Sequence, residues 1–165
     1  MRCLNDWNMS GGWRARIAGE VFCGCRKLSE MTIHGNVLDL GLYAFVGCDR
    51  LADPNGSFVR GGVLYAYFGN GGEIVIPDGV TRIAPGVFYG RRELTGVGFP
   101  ASLTSIGPQS LCCCHGLKHV TIPECVTCIE CCAFWSCSGL EKADVPAQAI
   151  IGRGAFDDSA TITRY

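Results

Sequence analysis

Residues 117–134 decide the fold: Leu117-Lys118-His119-Val120-Thr121-Ile122-Pro123-Glu124-Cys125-Val126-Thr127-Cys128-Ile129-Glu130-Cys131-Cys132-Ala133-Phe134. Val120 and Ile122 alternate with Thr121, a period of two that predicts a short strand with one face inward. Pro123 has no N–H to give to a ladder, so pairing stops there and the chain turns. Val126 and Ile129 supply a second short extended or irregular segment. Ala133-Phe134 then fits one or two helical turns that plug a large ring into a core. A unit this short cannot bury its own apolar face, but stacked units share one continuous core.

The string recurs along the chain. Its anchors are Phe22, Phe45, Phe88, Leu111, Phe134 and Phe156, at intervals of 23, 43, 23, 23 and 22 residues. Five residues before each anchor stands an aliphatic residue, Ile17, Leu40, Ile83, Ile106, Ile129 and Ile151, and six after it stands Leu28, Leu51, Leu94, Leu117, Leu140 and Ile162. So many columns agreeing in register predict a solenoid.

The string Ile76-Pro77-Asp78-Gly79-Val80-Thr81-Arg82-Ile83, then Val87-Phe88-Tyr89-Gly90 and Leu94, closely resembles the BspA-type leucine-rich repeat, as does its echo at 117–134. The resemblance covers residues 17–162. It implies a leucine-rich-repeat solenoid of short parallel β-strands with short helical or irregular turns and about seven rungs. It also implies adhesion and protein binding, the roles associated with such repeats on surface proteins of host-associated microbes. Three departures stand out: Leu111 replaces the aromatic anchor, Arg91 replaces the usual Cys of its column, and residues 53–72 form a remodelled unit.

The remodelled unit reads as a β-hairpin insert. Ser57-Phe58-Val59-Arg60, a Gly61-Gly62 turn and Val63-Leu64-Tyr65-Ala66-Tyr67-Phe68 fit two strands, with a second turn at Asn70-Gly71. Tyr65 and Tyr67 then belong either to a recognition flap or to a cover over the core where the usual turn is missing.

Composition sets outer bounds. A chain of 165 residues is one domain, and 14 Lys plus Arg against 15 Asp plus Glu lack the basic footprint of a nucleic-acid binder. With 48% hydrophobic and 18% charged residues the chain is not disordered, and its 23 Gly and 7 Pro imply many tight turns. No apolar run reaches the roughly 18 residues of a membrane span, so no membrane insertion is expected, and the first residues carry no export signal. Localisation therefore divides between the cell surface that the resemblance implies and a cytoplasmic or fragmentary origin.

Twelve cysteines invite a metal or redox reading. Cys125, Cys128, Cys131 and Cys132 have the close spacing of a zinc or iron–sulfur ligand set, with Cys112, Cys113, Cys114, His115 and His119 upstream. Against the repeat, Cys25, Cys48, Cys114 and Cys137 share one column three residues after the anchor, where a small buried residue is needed. The remaining cysteines fall where other units carry Ser, Pro or Gly. No cofactor is expected on this reading, and the 125–132 cluster stands as the alternative metal site. Cys114 beside His115 has the composition of a nucleophile and base, but sequence neighbours generally point apart.

What remains is surface. Outward strand positions form two columns, Glu30, Glu73, Gly96, His119, Lys142 and Thr32, Val75, Gly98, Thr121, Asp144, an extended face of mixed charge. Solenoids present such faces to partners. The candidate binding residues are Glu73, His119, Thr121, Lys142 and Asp144, with Tyr65 and Tyr67 of the hairpin. The function expected is a non-catalytic protein-binding or adhesion module whose partner is a protein or a glycosylated surface. A Cys-rich metal or redox protein and a structural spacer of a longer array are the alternatives. Residues 1–16, with Trp7 and Trp13, read as an N-terminal cap and residues 163–165 as a tail. The C-terminal end is left open, which admits self-association.

Overall fold

The computed structural model describes residues 15–33 and 37–165. Residues 1–14 of the proposed cap, Trp7 and Trp13 included, lie outside the described residues, as do the side chains of Ile17 and Leu40, while Ala15 and Arg16 of the proposed cap begin the first strand. In chain order the strands are β1 (Ala15–Ile17), β2 (Val37–Leu40), the hairpin β3 (Ser57–Arg60) and β4 (Val63–Tyr67), then β5 (Gly72–Val75), β6 (Arg82–Ile83), β7 (Leu94–Gly98), β8 (Ser105–Ile106), β9 (His119–Thr121), β10 (Cys128–Ile129), β11 (Lys142–Val145), β12 (Ile150–Ile151) and β13 (Thr161–Arg164). The single helical element among the described residues is a 3-10 turn at Asp49–Leu51. The molecule is a β-solenoid of leucine-rich-repeat type.

Each regular unit gives two strands, one on each flank of the stack. The first segments form the parallel pair β5–β7 and the parallel sheet β9–β11–β13, while the second segments form a sheet in the order β12-β10-β8-β6-β4-β3. Register follows the repeat: Ile83 pairs with Ile106, Ile106 with Ile129 and Ile129 with Ile151. All three pairs are parallel, as expected when each strand returns after one full unit. Only β3 and β4 are antiparallel, with Arg60 opposite Val63 across Gly61-Gly62.

The columns read from sequence are the core. Leu94, Leu117, Leu103, Val126, Ile83, Ile106, Ile129, Phe88 and Phe134 are wholly buried, and Leu111 is equally buried in its anchor place. Each such side chain contributes roughly 1.5–3 kcal/mol. Two clusters share this interior. One runs from Leu64 to Ala155, and the other gathers Leu28, Phe45, Cys48, Leu51, Phe58 and Tyr65 around the hairpin.

The anchor turns are not helical. Phe88, Leu111 and Phe134 donate their N–H groups to Ser110, Ala133 and Ala155 of the next unit, which removes the donors an α-helical turn would use. The chain instead bends twice through left-handed φ, two residues before and two after each of these three anchors. Gly86 (66°) and Gly90 (72°) flank Phe88, Gln109 (53°) and Cys113 (61°) flank Leu111, and Cys132 (56°) and Ser136 (57°) flank Phe134. Threonines lock the opposite flank: Thr81, Thr104 and Thr127 donate Oγ1–H to Gly62, Thr81 and Thr104 carbonyls at 3.1, 2.9 and 3.3 Å.

The hairpin replaces a rung strand. Leu64 pairs with Ile83 and is buried in the same column. From Leu64 the chain reaches its proline, Pro77, in 13 steps, whereas Ile83 reaches Pro100 in 17. The four residues lost are those of the anchor turn.

Candidate binding surface

Parallel pairing of β9 with β11 places Lys142 beside His119 and Asp144 beside Thr121. On that face Asp144 accepts from His119 Nε2 at 2.9 Å and from Lys142 Nζ at 2.7 Å. These hydrogen bonds, that from Lys142 first, hold the Asp144 carboxyl below the usual carboxylate range. The His119 and Lys142 side chains remain half exposed. Lys118 and Glu141 lie 4.0 Å apart beside them. Glu73 stands further along, on β5, opposite Gly96 of β7. Four of the five strand-face candidates thus meet in one patch, with Glu73 apart from them on β5, which also carries the exposed Val75.

Tyr65 and Tyr67 lie elsewhere. Tyr65 is 8% exposed and packs against Phe58 and Phe45, with ring centroids 5.9 and 6.2 Å away. Tyr67 tilts against Phe88 at 5.6 Å, and the Arg91 guanidinium sits 5.0 Å over its ring. They cover the core where the anchor turn is missing, and both line a cleft of about 390 Å³. That cleft runs between the turn at 41–47 and the turn at 85–91, where Tyr43 meets Tyr89 edge-on at 5.4 Å.

Arg91 has an explanation that sequence reasoning missed. In regular units the column cysteine donates its thiol to the anchor carbonyl of the preceding unit: Cys48 to Phe22, Cys114 to Phe88 and Cys137 to Leu111, at 3.0, 3.1 and 3.0 Å. The unit before Arg91 has lost its anchor turn, so that acceptor is gone. Arg91 reaches further, giving Nη1–H to Gly69 O at 2.6 Å and Nη2–H to Tyr67 O. The shortened unit and the odd residue are one substitution; the signal was that both departures fall in adjacent units.

The cysteine cluster does not assemble. Cys125 and Cys131 are exposed, Cys128 lies on β10, and Cys132 bends through left-handed φ. No three His, Cys, Asp or Glu side chains converge as metal ligands among the described residues. Cys112 and Cys113 touch, Sγ to Sγ, at 3.5 Å. Burial, followed by that contact, pushes the Cys112 thiol up to about 12, and burial pushes Cys48 up to about 11. Thiols of this kind stay protonated at neutral pH and make poor nucleophiles. Cys114 and His115 part ways: the thiol faces Phe88 O inside the stack while His115 Nδ1 contacts Ser138 Oγ at 3.1 Å outside.

Short parallel strands stacked at one unit per rung, aliphatic columns and a cysteine ladder define a leucine-rich-repeat solenoid. The chain belongs to the BspA type leucine rich repeat family, whose model matches residues 12–55 and 64–165 in six copies. The gap between the matches falls on β3 and the Gly61-Gly62 turn. Among solved structures the chain is similar to the Treponema pallidum leucine rich repeat protein, at 24% identity and a TM-score of 0.54 over 62% of this chain and 56% of that one. It is also similar to a leucine rich cell surface protein of Faecalibacterium prausnitzii, at 23% identity and a TM-score of 0.53 over 83% of this chain and 47% of that one. The chain therefore spans about half the length of each. No curated protein matches it significantly.

Proposed function

We propose that the chain is a non-catalytic protein-binding or adhesion module that meets its partner, a protein or a glycosylated surface, through the β9–β11 face. The observation that carries this reading is the His119–Asp144–Lys142 cluster, fixed by strand register yet open to solvent. Both signs of charge on a rigid sheet give orientation and partner selection more than raw affinity. Thr121 adds a hydroxyl in the same patch, and Glu73 and Val75 extend it along the stack. Membership of a family of binding scaffolds supports the reading, as does the burial of the column thiols of Cys48, Cys114 and Cys137. Similarity to a cell surface protein supports placement at a surface.

The test is binding of the whole chain to immobilised extracellular glycoproteins before and after enzymatic removal of their glycans. Lys142→Ala and His119→Ala should each weaken retention about tenfold while the chain stays folded, with only the small loss in melting that breaking a half-exposed ionic bond to Asp144 brings. Retention equal to that of the parent chain in both variants rules the face out, and a structural spacer then takes its place.

A further inference from the structure

The cleft beside the hairpin is separate from the sheet face, and its lining is unusual in three ways. First, Arg91 is half buried with no carboxylate within ion-pair distance among the described residues. Its bonds to Tyr67 and Gly69 satisfy donors, but carbonyls leave the net charge uncompensated. Burial lowers its pKa, the mark of a cation withdrawn from water. Buried charges are ordinarily paired. Second, Tyr65 lines the cleft with its ring more than nine-tenths buried, while its hydroxyl makes no hydrogen bond among the described residues and is not among the buried unpartnered groups, so it is free to meet a ligand or water. Third, Tyr43, Tyr67 and Tyr89 join these two in one concavity of about 390 Å³, near the lower end of the range for small-molecule sites.

We propose that this cleft binds an acidic sugar residue, its carboxylate against the Arg91 guanidinium and its ring against the tyrosine rings. A pyranose offers an apolar C–H face and a rim of hydroxyls, which suits phenol rings that are apolar in body and polar at the tip. A carboxylate matches the planar fork of an arginine. Asp49, exposed among the lining residues, disfavours a polyanion and leaves a single negative charge as the best fit. The missing anchor turn is what opens the space, so no other described unit repeats the site.

The experiment titrates the whole chain with D-glucuronate, D-glucose, benzoate and inorganic phosphate by calorimetry. Glucuronate should bind saturably, about tenfold or more tighter than glucose, and more weakly as salt rises. Tyr89→Ala should weaken glucuronate binding about tenfold while the melting midpoint holds. Arg91→Gln should erase the preference for acid over neutral sugar. Because Arg91 also ties the hairpin down, Tyr43→Ala is the companion variant, with the same expected loss as Tyr89→Ala. The proposal is overturned if glucose matches glucuronate, if benzoate or phosphate binds as tightly, if glucuronate does not saturate, or if both tyrosine variants bind like the parent chain.

Discussion

At the scale of single residues, the cysteine column shows how one side chain serves two needs. The site must be small enough for the turn to close and must give a hydrogen to a carbonyl one unit back; a buried thiol does both. Cys137→Ala removes the bond to Leu111 O and a little volume, and should cost about 1–2 kcal/mol in chemical denaturation. Cys113 sits at φ 61° in a column where Gly90 and Gly47 stand elsewhere. A left-handed L-residue costs roughly 1–2 kcal/mol, so Cys113→Gly should raise the melting midpoint despite glycine's extra chain entropy. Brief alkylation at neutral pH, read by peptide mass, should modify Cys23, Cys125 and Cys131 first and leave Cys48, Cys114 and Cys137 intact. The column itself was plain in the sequence, because Cys25, Cys48, Cys114 and Cys137 keep one distance from their anchors. Arg91 was visible only as a departure, since its acceptors belong to a unit whose spacing had changed.

Among the elements, the hairpin and the β9–β11 face carry the testable chemistry. Both hairpin strands could be read from Gly-rich turns between runs of β-formers, but a spacing of 43 residues does not say which part of the unit was dropped. Only strand pairing shows that β4 stands in for a rung and that the turn is the missing part. Gly56 closes this hairpin at φ 80°, and a Cβ there would lie 2.8 Å from Gly69 N. Gly56→Ala should destabilise the protein by about 1–3 kcal/mol, measured by denaturant midpoint. On the sheet face, Asp144 has a folded pKa below its unfolded value of about 3.9. Its ionic bonds therefore act above that value and are lost as pH falls through the depressed folded pKa. A difference in melting between the parent chain and Asp144→Asn should be present at neutral pH and vanish in strong acid. The strand columns announced which residues face outward; the ion cluster needed the register of β9 against β11 to bring residues 25 positions apart within 2.9 Å.

For the molecule as a whole, regular stacking leaves edges. β12 and β13 each have one strand neighbour, and Ile150 is 71% exposed on the outer flank. Unpaired parallel edges invite a further strand. The solenoid class was fully legible, because its columns repeat; the division of its interior was not, because both clusters use the same residue types. A gap in strand pairing, which falls inside the smaller cluster, has a mechanical consequence. No strand pairing joins β2 to β3, and across this seam the chain is held by ring contacts such as Phe45 on Phe58 and by the reach of Arg60 to Met31 O. Pulled along its axis, the stack should yield at the seam before any rung within the larger cluster parts, so that a module tethered by one end can bend there under load while its binding face stays intact.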